Sequence, residues 1–337
     1  MLTQRREEIL RIIVDEYTST GVPVGSETVA RKGMQVSSAT IRNEMNELEG
    51  EGYLAQPHTS AGRIPSDRGY RHYIESLMGE VQLSSAEQRL ICHQFHQVER
   101  EVEEWTRLAA SVLSHMLHNV AIVTLPKHSE SRLQHLELVS LQEFLILLVL
   151  ILKEAKLKQQ MLTAGESVTQ EELNASAMKL NSAYGGLAPS EIPARDLEIS
   201  PFEAQVVEAM VQIMHAEEEE EYEEPYVDGL RHMLSQPEFA SSSKIADIVE
   251  ILEQKSLLKS FLPQVLAGGG MCVVIGSENR QDVMSGCSVV MARYGVPGEV
   301  SGAVGVMGPT RMRYDRAIPA VYFLASLMSE MVSEFRG

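Results

Sequence analysis

Small polar residues and glycines divide the start of the chain into three short apolar periods, and this punctuation constrains the fold most. Ile9, Ile13 and Tyr17 recur at helical spacing, with Leu10 and Val14 beside them and Thr3 as an N-cap. Ser19-Thr20-Gly21-Val22-Pro23 ends that helix. A second helix begins at Ser26, carries Val29 and Ala30 inward, and stops at Gly33, a residue suited to the turn after a helix. Ser37 or Ser38 caps a third, whose Ile41, Met45 and Leu48 share one face, and Gly50 and Gly52 terminate it. Helix, glycine-bearing turn, helix is the helix-turn-helix pattern.

Two short apolar pieces follow, Tyr53-Leu54-Ala55 and Arg63-Ile64-Pro65, around the polar Pro57-His58-Thr59-Ser60-Ala61-Gly62. They predict a hairpin, or wing, after which Ser66 caps a helix holding Tyr70, Ile74 and Leu77. With Ile41, Met45 and Leu48 inward, Ala39, Asn43 and Asn46 point outward and Arg42 flanks them. Asparagine bonds the edge of adenine and arginine that of guanine, while alanine fits a thymine methyl. Ser37, Ser38 and Thr40 at the helix N-terminus suit a phosphate. His58, Thr59, Ser60 and Arg63 at the wing, with Arg68 and Arg71 beyond, suit phosphates or a minor groove. The same geometry occurs in proteins that touch no nucleic acid, so the pattern leaves both readings open.

Charge bears on that choice. The formal net charge is −18, and seven of the negative charges fall in Glu217–Glu221, Glu223 and Glu224. Residues 31–73 hold six Arg or Lys against five Asp or Glu, so this segment is nearly neutral. Phosphate contacts are local, so a few convergent arginines suffice in an acidic protein. The glutamate run reads as a solvated face.

Further along, Ile91, Phe95, Val98, Val102, Trp105, Ala109, Val112 and Met116 alternate steps of four and three. That spacing predicts one long helix from Ser84 to about His118 with a heptad seam. Strands are expected at 120–125, 133–141, 144–152 and 156–162, and mainly helices over 168–262. These helices include Glu171–Tyr184, Pro201–His215 and Lys244–Gln254. Strands return at 271–275, 287–294 and 300–307, with Pro297-Gly298 as a turn, before a helix from Ile318 to Phe335. Strands, helices, then strands predict an α/β domain carrying a helical insertion.

Chemical motifs are sparse. The cysteines Cys92, Cys272 and Cys287 form no C-x-x-C pair and read as reduced core residues. His93/His96 and His115/His118 are i,i+3 pairs without an evident third metal ligand. Gly268-Gly269-Gly270 precedes a strand and so lacks the context of a dinucleotide loop, and no phosphate loop or nucleophile elbow occurs. The expectation is a non-enzyme without cofactor or metal. No apolar stretch reaches the roughly 20 residues of a membrane helix, and MLTQRREEIL has no signal-peptide core, so a cytoplasmic protein is expected.

Several runs carry a resemblance: Gly21-Val22-Pro23-Val24-Gly25-Ser26, Ser38-Ala39-Thr40-Ile41-Arg42-Asn43-Glu44-Met45, and Gly52-Tyr53-Leu54 through Pro57-His58-Thr59-Ser60-Ala61-Gly62-Arg63-Ile64-Pro65. Gly69-Tyr70-Arg71, Ile275-Gly276-Ser277-Glu278-Asn279 and Gly308-Pro309-Thr310-Arg311-Met312-Arg313-Tyr314 extend it to both ends of the chain. The chain thereby resembles the HrcA family of heat-inducible transcription repressors, with Glu44 where that family often has Asp. The resemblance implies an α+β multidomain fold with a winged helix-turn-helix at 1–78, which the long helix expected from the heptad spacing would link, over 79–118, to the rest. It further implies a GAF-like α/β domain from 119–165 and 265–337, and a helical dimerising insertion at 166–264. It also implies a homodimer on an inverted-repeat operator, CIRCE, upstream of chaperone operons, with the chaperonin GroEL as partner. Two-fold symmetry would match the repeat. The competing readings are a ligand-responsive regulator with a small-molecule site in the GAF-like domain, and a pure protein-interaction module.

Overall fold

A computed structural model describes residues 2–34, 36–58, 61–79, 81–98, 101–128, 130–153, 156–219, 225–239, 270–279, 284–296 and 299–334. The expected helix Lys244–Gln254, the Gly268-Gly269 pair, most of the glutamate run and the Pro297-Gly298 turn lie outside these residues. The chain divides into two compact units.

The first unit comprises residues 1–126, 222–297 and 301–337. It opens with α1 (Gln4–Thr20), α2 (Ser26–Arg31) and α3 (Ser38–Gly50), then the strands β1 (Leu54–Ala55) and β2 (Ile64–Pro65), and α4 (Asp67–His72). β1 and β2 pair antiparallel, Leu54 opposite Pro65. Ile9, Leu10, Ile13, Val29, Ile41 and Leu48 are fully buried where the three helices meet. Thr3, Ser37 and Ser66 cap α1, α3 and α4 as expected. Ser26 does not cap α2: it is the first helical residue, and Gly25 holds the cap position.

The expected single helix over 84–118 is two, α5 (Ser85–Gln97) and α6 (Val102–Leu117), with Val98 and Glu101 extended between them. Like charges at Glu99 and Glu103 would oppose each other one turn apart in a continuous helix. A fresh N-terminus at Val102 instead places Glu103 and Glu104 at the positive end of the helix dipole. Of the expected seam, Ile91 and Phe95 in α5 and Trp105 and Ala109 in α6 are buried, but α6 also buries Thr106, Ala110, Leu113 and Ser114, while Val112 and Met116 are half-buried.

After β3 (Val120–Val123) comes the short β4 (Lys127–His128), with which the second unit begins. β5 (Leu133–Gln142), β6 (Leu145–Leu152) and β7 (Leu157–Thr163) form an antiparallel three-stranded sheet of their own. Strict alternation along β6 sends Ile146, Leu148, Leu150 and Leu152 to a core with α7 (Gln170–Tyr184) and α8 (Pro201–Glu219). Each such leucine contributes about 1.5–3 kcal/mol. The Asn181 amide locks α7 on by donating to the Leu136 carbonyl and accepting its N–H, both at 2.7 Å. Glu217, the first residue of the glutamate run, is no solvated charge: it is buried and pairs with Lys156 at 2.7 Å and Lys158 at 2.6 Å. The division of the chain therefore differs from the expected one. The strands expected over 133–162 do form, but they belong with helices 170–219 in one unit, not with the 271–309 strands.

The chain returns to the first unit with β8 (Tyr226–Asp228), unforeseen in the sequence, and the short α9 (Leu230–Leu234). β9 (Met271–Ile275), β10 (Cys287–Val296), β11 (Val300–Pro309) and α10 (Tyr314–Glu334) follow. The strand order is β8-β3-β11-β10-β9. Val120, Ile122, Val289, Met291 and Met307 share a core with Met233 and Phe239 on one face. α6 and α10 pack on the sheet against β3 and β10. Burial on both faces explains the nearly unbroken apolar runs of these strands. Gly302 lies under the Tyr294 ring, where a Cβ would stand 2.5 Å from the ring carbons, and the Tyr294 hydroxyl donates to the Thr124 carbonyl at 2.6 Å.

Candidate nucleic-acid interface

The third helix presents two chemically distinct faces. Ser37 Oγ accepts the Thr40 N–H at 3.2 Å and lies 3.0 Å from Thr40 Oγ1, fixing the first turn. Ile41, Met45 and Leu48 are buried, and Ala39, Arg42, Asn43 and Asn46 are exposed, as the periodicity predicts. Ser37 is exposed, and Ser38 and Thr40 are half-buried beside it.

The acidic residues of this helix would repel a polyanion, but each has a cation. Arg6 on α1 bonds Glu44 at 2.8 Å and Glu51 at 2.6 Å and lies 3.8 Å from Glu47. Arg5 adds a 3.4 Å contact to Glu44, and Arg63 pairs with Glu49 at 2.8 Å. The hydrogen bond from Arg6 holds the Glu44 carboxyl below the ordinary carboxylate range and raises the Arg6 guanidinium in turn. Among the described residues Arg42 makes no ion pair or hydrogen bond. Arg5, Arg6 and Arg63 offset most of the charge of Glu44, Glu47, Glu49 and Glu51, and the unpaired Arg42 brings this group to neutrality in an acidic chain. Arg5 and Arg6 escaped the sequence reading; the 44, 47, 51 spacing of glutamates was the signal that a cation must lie opposite.

The hairpin is fastened to the loop between α1 and α2 by its return strand. Val24 N–H donates to the Arg63 carbonyl at 2.8 Å, and Arg63 N–H to the Val24 carbonyl at 2.9 Å. A Cβ on Gly62 would lie 2.5 Å from the Val24 carbonyl, so the approach requires glycine. His58 is exposed at the tip, while Thr59 and Ser60 lie outside the described residues.

Three arginines expected to hold phosphates or enter a minor groove have other partners. Arg63 is directed inward: its side chain is 14% exposed and bonds Asn46 Oδ1 at 2.9 Å as well as Glu49. Arg68 is exposed, but it donates to the Glu51 carbonyl at 2.7 Å and stacks 4.5 Å from the Tyr53 ring centre. Arg71 is spent elsewhere in its unit, donating to Glu278 at 2.9 Å and to the Val273 carbonyl at 2.7 Å. An arginine carries only donors, and those bonded to carboxylates and carbonyls are not offered to a phosphate. Arg71 belongs to a clasp in which Asp67 accepts the N–H and hydroxyl of Ser277 at 2.8 and 2.7 Å. Arg316 pairs with Glu87, and Tyr70 packs on Tyr314 at 5.6 Å between ring centres.

No group of three metal-competent side chains occurs among the described residues. His115 and His118 each meet His232 edge-on, at 5.7 and 5.3 Å between ring centres, as packed rings. Among the same residues no helix is long and apolar enough to cross a membrane.

With this geometry in place, likeness to known proteins is informative. Residues 103–318 match the family described as HrcA protein C terminal domain. The chain is 45% identical to the heat-inducible transcription repressor HrcA of Dehalococcoides mccartyi, over 100% of this chain and 98% of that one. It is 42% identical to the protein of the same description from Herpetosiphon aurantiacus, over 100% and 97%. A crystal structure of a hypothetical protein matches 99% of both chains with TM-score 0.59 at 22% identity, a likeness of fold.

Proposed function

This chain belongs to the HrcA family of heat-inducible transcription repressors, and from that membership we propose how it represses: α1–α3 and the β1–β2 hairpin act as a winged helix-turn-helix that lays α3 in the major groove of operator DNA. Ala39, Arg42, Asn43 and Asn46 face the bases. The N-terminus of α3, with Ser37, Ser38 and Thr40, meets a phosphate, and the wing tip at His58, Thr59 and Ser60 straddles the backbone. The observation that carries this reading is the electrostatic arrangement of α3, whose glutamates are all paired while the outward Arg42 is not. Arg42 and Asn43 are exposed with no ion pair among the described residues, which leaves their polar groups available to a ligand.

The proposal extends to assembly. The operator is an inverted repeat of the CIRCE type upstream of chaperone operons, and a two-fold dimer places one α3 in each half-site. The outer face of the β5-β6-β7 sheet supports a homodimer contact there. Its half-buried Leu147 lies in register with Val139 and Met161, which are 41% and 65% exposed. An apolar row of this kind on a sheet marks an association surface. Residues 127–221 then make up the dimerising insertion, and the β8-β3-β11-β10-β9 sheet with α6 and α10 is the GAF-like domain. The protein works in the cytoplasm, where the chaperonin GroEL acts on it to favour the active form. Heat depletes the folded dimer, because net stability is a small difference between large terms.

The test is a mobility shift of the full chain on an inverted-repeat duplex and on a scrambled one, at 25 °C and after heating. Retention of the repeat alone, lost on heating, supports the proposal. Equal retention of both duplexes refutes it.

A further inference from the structure

We propose that Arg63 is a positioning residue that fixes which end of the Asn46 side chain faces the bases, so that the hairpin sets base choice through α3. This rests on the DNA-reading role of α3 proposed above and deepens it. A guanidinium has five donors and no acceptor. The Asn46 atom facing Arg63 is therefore the amide oxygen, whichever way a free amide would turn. One terminal nitrogen of Arg63 serves both Asn46 Oδ1 at 2.9 Å and Glu49 at 2.8 Å. The backbone of Arg63 is bracketed by the two hydrogen bonds to Val24, so the guanidinium is held from behind. Its side chain is largely covered, whereas Asn46 is exposed.

The consequence is chemical. An unrestrained asparagine presents its oxygen or its nitrogen to a base with similar ease. Asn46 has one end committed, and its Nδ2 carries two N–H donors that no described residue takes up. Donors suit the acceptors of the major groove, namely N7 and O6 of guanine, N7 of adenine and O4 of thymine, and are mismatched to the amino group of cytosine. The hairpin thereby acts on sequence choice without touching a base.

The experiment uses the full chain and an inverted-repeat duplex in which each base pair of the half-site is changed in turn, titrated at several salt concentrations. The variants are Arg63→Ala, Arg63→Lys, Asn46→Ala, Asn46→Asp and the double alanine variant. Arg63→Ala and Asn46→Ala are expected to lose discrimination at the same base pair, by about 5- to 150-fold. The double variant loses no more than either, and the salt slope stays that of the parent. Arg63→Lys keeps part of the discrimination, because an ammonium also donates to the amide oxygen. Asn46→Asp, at an exposed position that preserves the Arg63 contact, tests the idea with the hairpin still clamped: preference there shifts toward cytosine. The inference is overturned if Arg63→Ala weakens every sequence alike and lowers the salt slope by about one, the mark of a phosphate contact. It is also overturned if the Asn46 variants leave all base preferences unchanged. A parent protein that fails to distinguish the repeat from unrelated duplex refutes the reading of α3 itself, a different result from failure of the Arg63 arm alone.

Discussion

Asn43 and Arg42 sit side by side on the exposed face of α3, yet they are expected to fail differently when removed. If α3 reads the major groove as proposed, Asn43→Ala removes a base-edge contact and relaxes sequence choice at a cost of about 1–3 kcal/mol. Arg42→Ala takes away the unpaired charge and lowers affinity for every duplex, with a shallower salt dependence; a salt series on both variants separates the two. A second residue-scale expectation concerns acid. Glu87 is held down to a pKa of about 2, first by the Ser84 hydroxyl it bonds at the start of α5 and then by Arg316. The unfolded chain binds that proton more readily, so protonation favours unfolding. The contribution is complete above the ordinary value near 4.5 and is lost as pH falls through about 2. Glu87→Gln should flatten the pH dependence of the melting temperature in that window and lower the melting temperature near neutrality, where the charged form contributes in full. At this scale the sequence showed which side chains of α3 point outward, because helical periodicity decides that. It did not show which arginines are occupied, because Arg63 and Arg71 find their partners through tertiary packing and, for Arg71, across 207 positions of sequence.

Elements were legible where local chemistry sets them. The caps at Thr3, Ser37 and Ser66 satisfy the free N–H groups of a helix start, which is a short-range requirement. Ser37→Ala is expected to cost about 0.5–2 kcal/mol and to loosen the first turn of α3, read as a lower melting temperature with weaker operator binding. The alternating strand β6 was equally plain as a strand, though not as one with a single buried face. What failed were inferences over longer stretches. A heptad spacing from Ile91 to Met116 predicted one helix, but α5 and α6 are separate helices and the seam is buried only at Ile91, Phe95, Trp105 and Ala109. Sheet membership was illegible, since strands of similar composition at 133–163 and 271–309 join different sheets according to pairings that no local pattern records.

For the whole molecule, repression of an inverted repeat requires two reading heads held at a fixed spacing. Met161→Glu places a charge on the outer face of the β5-β6-β7 sheet at an exposed site. It should yield monomers by sedimentation with unchanged far-UV circular dichroism, and operator affinity should fall because a single α3 then meets a single half-site. The net charge of −18 disfavours loose binding to DNA at large. The most direct measurement is the fluorescence anisotropy of a labelled inverted-repeat duplex titrated with the full chain at 25 °C. It is compared with an unlabelled competitor of equal composition in which the repeat is scrambled. The repeat is expected to bind roughly 10³-fold tighter or more than the scrambled duplex, with Asn43→Ala eroding that ratio. Equal displacement by the two competitors at every salt concentration would contradict the account.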